Sequence, residues 1–193
     1  MTGVQTCARP ISWYFSGGNI REVLRAILFS DEFLSLKFYR AKVKDPFEAV
    51  VSTLRALDVR MNGQNLFGMV SDIEAAGMEQ FQFADPTGES EMGFDWMHTV
   101  GLLERLKFFN RVANPPQPRD SRGNWNPRDL MNRWRLTNEE FVADYFSLLL
   151  FGYDVLETQK VLAKESYAQG NTPENRMRDA VSYLLSLPPF QKQ

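Results

Sequence analysis

Apolar residues recur along most of the chain at intervals of three and four residues, the spacing that places side chains on one face of an α-helix. The clearest rows lie in the segments 20–28, 47–57, 66–73, 100–109, 141–151 and 177–185. No segment alternates apolar and polar residues over the length of a normal β-strand, although residues 78–83 could form two short extended pieces. The pattern therefore predicts an all-α domain of about eight helices. Because the connections differ in length, we expect one irregular, non-bundle helical domain with long loops.

Several predicted helices begin at recognisable residues. The segment Asp45-Pro46-Phe47-Glu48 combines a cap, a proline at the first helical position and a glutamate that can return a hydrogen bond. Thr137 with Glu140 predicts another capping box, and Thr172-Pro173 predicts the start of the last helix. The proline-rich stretch Asn114–Asn126 cannot sustain a helix and predicts a linker.

Candidate chemistry is concentrated in the segment Phe81–Val112. A loop with four carboxylates opens it, and a helix predicted from about Asp95 to Val112 follows, carrying His98, the only histidine of the chain. If the loop is extended, Asp85, Glu89 and Glu91 share one side and form an oxygen-rich cluster that could bind Ca²⁺. The spacing is not that of an EF-hand, and a solvated acidic loop is the alternative.

A catalytic interpretation of the same segment uses Asp95, His98 and Glu91. Asp95 stands three residues before His98 and could orient it as a general base, with Glu91 as a second carboxylate. The chain has no Gly-x-Ser-x-Gly nucleophile motif, and one histidine is a poor start for a zinc site. The alternative is a structural histidine that is hydrogen-bonded to a nearby carboxylate.

Tryptophans near this segment could bind a ligand by stacking. Trp96, Trp125 and Trp134 could form a platform for sugar rings, and Trp125 is expected to be the exposed member because it lies in the proline-rich linker. Trp96 and Trp134 are otherwise expected to anchor the core. Arg105 is expected to pair with Glu91 or Asp95 and to hold the acidic loop in place.

Overall charge narrows the classes of partner. The 22 basic and 24 acidic residues leave a net charge of −2, which argues against a general nucleic-acid-binding protein. The longest strongly apolar run, Phe146–Tyr153, is far shorter than the roughly 20 residues that span a bilayer, so no transmembrane segment is expected in this sequence.

The first residues differ in character from the rest. The string MTGVQTCARPI resembles a translated sequencing-library adapter, so we interpret residues 1–12 as an artefactual or disordered leader and residues 13–193 as the domain. Cys7, the only cysteine, lies in this leader, so the remaining chain offers no thiolate nucleophile or cysteine metal ligand. We also expect that the natural start lies upstream.

Several segments carry a family resemblance in the right order. They are Ser30-Asp31-Glu32-Phe33, Lys44-Asp45-Pro46-Phe47-Glu48, Arg55-Ala56-Leu57, Asp85-Pro86-Thr87-Gly88, Trp96, Thr99 with Leu102-Leu103 and Arg105, and the terminal Leu184–Gln191. These segments resemble a bacterial family, domain of unknown function 1800 (DUF1800). The resemblance implies the C-terminal part of a longer helical protein whose N-terminal half is missing here.

The same resemblance suggests a cellular setting. It implies an exported protein, periplasmic or secreted, whose gene often lies beside a sulfatase-like family, domain of unknown function 1501 (DUF1501). We therefore expect an interaction or scaffold module that acts with this partner on a surface polysaccharide. The alternative is a hydrolase with its site between Asp85 and His98. No established activity accompanies the family name, so whether the protein is an enzyme stays open.

Overall fold

The computed structural model describes residues 11–61, 63–83, 86, 88–90, 92–115, 125–152 and 156–193, apart from the side chains of Gln64 and Asn65. Contacts between Cα atoms divide the described chain into two units. We call residues 11–42, together with Gln193, the N-terminal unit, and residues 43–192 the C-terminal unit. The leader predicted for residues 1–12 lies mostly outside the described residues; Ile11 and Ser12 open a helical segment over residues 11–15.

Eight α-helices follow this segment within the described residues. They are α1 (Ile20–Leu28), α2 (Pro46–Ala56), α3 (Gly63–Ala75), α4 (Thr99–Ala113), α5 (Pro127–Trp134), α6 (Glu139–Phe151), α7 (Glu157–Gln169) and α8 (Pro173–Ser186). Three short 3₁₀ helices span Leu36–Phe38, Gly93–Trp96 and Pro188–Gln191. Within the described ranges the only β-type pairing is an isolated bridge between Val43 and Lys192, and residues 78–83 form turns and irregular backbone. The all-α prediction is therefore confirmed.

The N-terminal unit is helical, and its described side chains are all at least partly exposed. Gly17 and Gly18 take positive φ values of 63° and 87° in the turn before α1, a conformation that glycine adopts without steric cost. Asn19 caps α1 by accepting a hydrogen bond from the Arg21 amide at 3.0 Å. Among the described residues of this unit none is buried. Its helices therefore form as local sequence predicts while their apolar faces stay exposed.

Helix starts in the C-terminal unit follow the sequence closely. The capping box of α2 is complete: Asp45 accepts from the Glu48 amide at 2.7 Å, and the Glu48 carboxylate accepts from the Asp45 amide at 3.0 Å. Helix α6 is capped by Asn138 rather than by the predicted Thr137. The Asn138 side chain reaches the Phe141 amide and accepts from it at 3.0 Å, and asparagine is a strong cap.

Helix α4 begins four residues later than predicted. Residues Gly93–Trp96 form a separate 3₁₀ turn, and His98 then caps α4 by accepting from the Gly101 amide at its Nδ1, at 3.1 Å. The apolar spacing inside the helix could not reveal this start, because the cap is a histidine rather than one of the usual Ser, Thr, Asp or Asn residues.

Helix α8 lies at the centre of the C-terminal unit and packs against α4, α5, α6 and α7. Its residues Met177, Leu184 and Leu185 are fully buried together with Phe109 of α4. The C-terminal 3₁₀ helix folds back on this core, where Phe190 packs edge-on against Phe109 with ring centroids 5.3 Å apart. The core thus joins the last helix and the chain terminus to the helix that follows the acidic loop.

Candidate functional site

Trp96 fixes the end of the loop that joins α3 to α4. Its indole is buried, and its Nε1–H donates to the Ser90 carbonyl at 2.9 Å. The Ser90 hydroxyl donates to the Asp95 carboxylate and accepts from the Met92 amide at 3.0 Å. Trp96 is therefore buried, as its structural alternative predicts, and its stacking role stays a prediction.

His98 and Asp95 are not brought together. His98 is exposed and uses Nδ1 to cap α4, whereas Asp95 accepts from Ser90. No hydrogen bond or ion pair joins these two described residues. Glu91, the third residue of the catalytic interpretation, lies outside the described residues. The geometry therefore gives His98 and Asp95 local structural roles, and the catalytic roles stay predictions.

The proposed calcium ligands can be placed only in part. Asp85 and Glu91 lie outside the described residues, and Glu89 is half-buried in the same loop. Within the part of the chain that the structure describes, no group of three or more His, Cys, Asp or Glu residues is arranged to hold a metal ion. Calcium binding stays a prediction.

Arg105 is buried and binds polar groups outside the acidic loop. Its side chain is 2% exposed, and Nη1 donates to the Lys44 carbonyl at 2.8 Å and to the Gln191 Oε1 at 3.3 Å. Burial lowers the pKa of the guanidinium, an effect that the charges of Asp45 and Glu48 partly offset.

The predicted pairing of Arg105 with Asp95 is therefore wrong, because Arg105 binds the residue before α2 and the C-terminal 3₁₀ helix. Its Nε and Nη2, like the Nε2 of Gln191, are buried without a hydrogen-bond partner among the described residues. Arg105 thus fastens the chain terminus to α4 and holds no loop carboxylate that the structure describes.

Trp125 and Trp134 exchange their expected environments. Trp125 is only 1% exposed: its Nε1–H donates to the Ala113 carbonyl at 3.2 Å, and the Arg178 guanidinium lies 5.2 Å from its ring centroid. The exposure predicted for Trp125 is wrong, because these partners draw the end of the linker into the core, and its indole offers no face to a sugar. Trp134 is 53% exposed and packs against Tyr145 at 5.6 Å, so its predicted core role is also wrong.

A groove beside the acidic loop was missed by the sequence interpretation. It has a volume of about 360 Å³ and is lined by Met78, Gln80, Phe81, Phe83, Pro86, Gly88 and Glu89. Phe81 is fully exposed and Phe83 is about half exposed, while the Gln80 Nε2 is buried without a hydrogen-bond partner among the described residues. The available signal was the pair Phe81 and Phe83 in a polar loop, where neither ring follows a helical row.

Exposed apolar side chains are closely spaced along the N-terminal unit. Ile20, Leu24 and Leu28 form a continuous row along α1, since they are four residues apart. The remaining exposed apolar side chains of this unit are Ile11, Trp13, Tyr14, Phe15, Phe29, Phe33, Leu34, Leu36, Phe38 and Tyr39. No described residue of the unit is buried, so this surface is not matched by a core beneath it.

These features define an all-α protein with a hydrophobic core around α8, a buried arginine on α4, a groove beside the acidic loop and an N-terminal unit in which no described residue is buried. Among the described residues no helix is long and apolar enough to cross a membrane. The chain belongs to the family described as "Protein of unknown function (DUF1800)", whose family model matches residues 5–192. That match begins inside the stretch interpreted as a leader. No curated protein and no solved structure matches the chain.

Proposed function

We propose that the chain is an interaction or scaffold module of an exported protein, periplasmic or secreted, and that it acts with a sulfatase-like partner on a surface polysaccharide. The observation that supports an interaction role is the N-terminal unit, in which a row of apolar residues on α1 is exposed and no described residue is buried. Exposed apolar surfaces of this extent mark places where another protein surface docks. The family resemblance suggests the compartment, the partner and the polymer.

The proposal is tested by capture of a DUF1501 protein, encoded beside a DUF1800 gene, on the immobilised 193-residue chain. Leu24 lies in the middle of the α1 row and is 52% exposed. Leu24→Glu places a carboxylate in the proposed contact, so the dissociation constant should rise about tenfold or more. Leu148→Glu is a matched control, since Leu148 on α6 is 54% exposed and lies in the C-terminal unit. Equal capture by wild type and Leu24→Glu would contradict the proposal.

A second measurement separates a protein partner from the expected upstream half of the same protein. If upstream residues cover α1, Leu24→Glu should lower the melting temperature of a longer chain that retains them. If a separate partner covers α1, that melting temperature should stay the same while capture is lost. In the 193-residue chain itself Leu24 is exposed, so the substitution should leave its melting temperature unchanged in both cases.

The hydrolase alternative stays a prediction with its own test. Alanine at His98 or Asp95 should abolish turnover if the acidic loop is a catalytic site. Both residues also have structural contacts, so a loss of activity counts only where the circular dichroism spectrum and the melting temperature show that the variant is folded.

A further inference from the structure

Trp134 is the last residue of α5 and exposes its indole at the surface of the C-terminal unit. The residue is 53% exposed, although tryptophan is among the more buried residue types on average. Tyr145 of α6 packs against the indole, with ring centroids 5.6 Å apart and ring planes inclined by 32°. Tyr145 in turn packs against the hydrophobic core. The indole is therefore held in a defined orientation while much of its surface stays in contact with water.

An ion pair lies close to these two rings. Nη1 of Arg133, the residue before Trp134, donates to the Oδ2 of Asp58 in the turn after α2 at 2.8 Å. The Arg133 side chain is 50% exposed and that of Asp58 is 60% exposed, so a ligand can reach both. Burial raises the pKa of the Tyr145 hydroxyl, which the Arg133 charge lowers and the Asp58 charge raises. The hydroxyl therefore lies near this ion pair.

A narrow polar cleft begins at the same ion pair. Asp58 and Arg133 line it together with Arg60 and Asp129, which form a second ion pair at 3.4 Å. The cleft has a volume of about 10 Å³, which admits one water molecule or one hydroxyl but no ring. A ligand that lies on the aromatic rings can therefore place only a single small polar group in the cleft.

The exposed groups restrict the chemistry of the ligand. The indole offers a flat apolar surface, the Asp58 carboxylate needs a donor and the Arg133 guanidinium needs an acceptor. Because the four charges of the cleft are paired with one another, a simple ion of either sign would have to break a pair in order to bind. A proline-rich peptide could cover the rings, but its prolines lack the N–H groups that Asp58 would need. The best match is a ligand with an apolar face and hydroxyl groups.

We propose that Trp134, Tyr145 and the Arg133–Asp58 pair form a saccharide-binding platform. A pyranose ring has a face of C–H groups that can stack on the indole, and each of its hydroxyls both donates and accepts, as the ion pair requires. Of the three tryptophans that the sequence suggested for such a platform, Trp134 is the one that the structure leaves exposed. The inference rests on the proposed function for the biological polymer, because it gives the module its own contact to the polysaccharide.

Ligand-observed saturation-transfer NMR on the 193-residue chain tests the platform with a panel of neutral and acidic oligosaccharides. Calorimetric titration of the strongest binder then gives the dissociation constant. Trp134→Ala should weaken binding about tenfold because it removes the stacking surface, and Trp134→Phe should lose much less because it retains an aromatic face. Trp13→Ala is the matched control, since Trp13 lies in the N-terminal unit and is also 53% exposed, and it should bind as wild type does.

Arg133→Met tests the polar part of the platform separately from the rings. Methionine keeps an apolar stem and removes the guanidinium, so binding should weaken about tenfold. The Arg133 side chain is half exposed, so the melting temperature should change little.

A proline-rich peptide titrated in parallel distinguishes the two classes of ligand that aromatic surfaces bind. Absence of saturable binding across the oligosaccharide panel, unchanged binding in Trp134→Ala, or an equal loss in Trp13→Ala would overturn the proposal. Tighter binding of the peptide than of every oligosaccharide would overturn it as well.

The saccharide platform and the protein-docking surface fail separately. Trp134→Ala should lose sugar binding and retain capture of the DUF1501 protein, whereas Leu24→Glu should do the reverse. Loss of both properties in either variant would contradict the assignment of two independent surfaces.

Discussion

Replacing Arg105 tests whether the charge or the volume of this side chain stabilises the fold. The guanidinium is 2% exposed, so both its charge and its bulk are enclosed by protein. Arg105→Met keeps most of the volume and removes the charge. Arg105→Ala removes both and leaves a cavity beneath Lys44 and Gln191.

The polar atoms of Arg105 make opposing contributions of similar size to the free energy of unfolding. The bond from Nη1 to the Lys44 carbonyl is charge-assisted and stabilises by about 1.5–3 kcal/mol, and the longer bond to Gln191 adds less. Against these, Nε and Nη2 are buried without partners among the described residues, at a cost of about 1–3 kcal/mol each. Because these contributions largely cancel, Arg105→Met should change the free energy of unfolding by only about 1 kcal/mol. Arg105→Ala should lower it by about 2–5 kcal/mol, the range of large-to-small core substitutions.

Equilibrium unfolding in urea, followed by circular dichroism, measures both changes from the midpoint and the slope of the transition. Arg25→Met is a suitable control, since Arg25 is exposed on α1 and its change should stay within about 0.5 kcal/mol. Equal losses in Arg105→Met and Arg105→Ala would refute the reasoning, because the paired charge rather than the filled volume would then dominate.

Two further predictions concern single polar side chains. His98→Ala should lower the free energy of unfolding by about 1 kcal/mol through loss of the cap on α4. His98→Asp should restore this free energy, because aspartate is a strong cap and its negative charge interacts favourably with the helix dipole. Urea unfolding measures both changes, and no change in the alanine variant would disprove the capping role. Burial raises the pKa of the Asp179 carboxyl, so the stability linked to this group is complete below its ordinary pKa and is lost as pH rises through the raised value. Asp179→Asn should therefore be more stable than wild type at neutral pH and equal to it in acid, and equal melting temperatures at neutral pH would contradict this sign.

Helix starts were predictable where the partners are close in sequence. The capping box of Asp45 and Glu48 needs only three residues of spacing, and Thr172 likewise caps α8 by accepting from the Asn175 amide at 3.2 Å. These contacts depend on local geometry, which a short motif contains in full. The shift of the α6 cap from Thr137 to Asn138 shows the limit of such motifs, since two adjacent residues had the chemistry to cap.

The candidate site was predicted less well because its contacts are distant in sequence. Arg105 binds Lys44 and Gln191, which are 61 and 86 residues away. Both lie in segments that carry the family resemblance, but neither was expected to contact Arg105. Trp125 was expected to be exposed because its neighbours in sequence are prolines. In the structure it donates to the Ala113 carbonyl and accepts from Arg178 on α8, and it is buried. Local composition does not reveal contacts between residues that are distant in sequence. The predicted environment of a side chain was therefore wrong in places where the predicted helices were correct.

The disagreement between local preference and structure is itself informative. Asp95, His98 and Trp96 attracted attention because their residue types suit chemistry, and each has a structural partner within a few residues. Phe81 and Gln80 attracted none, yet one exposes a ring on a strained backbone and the other buries an unpaired amide. A sequence usually satisfies its local preferences, and the exceptions concentrate at functional sites. Phe81 and Gln80 are therefore the residues of this segment whose local preferences the described fold satisfies least.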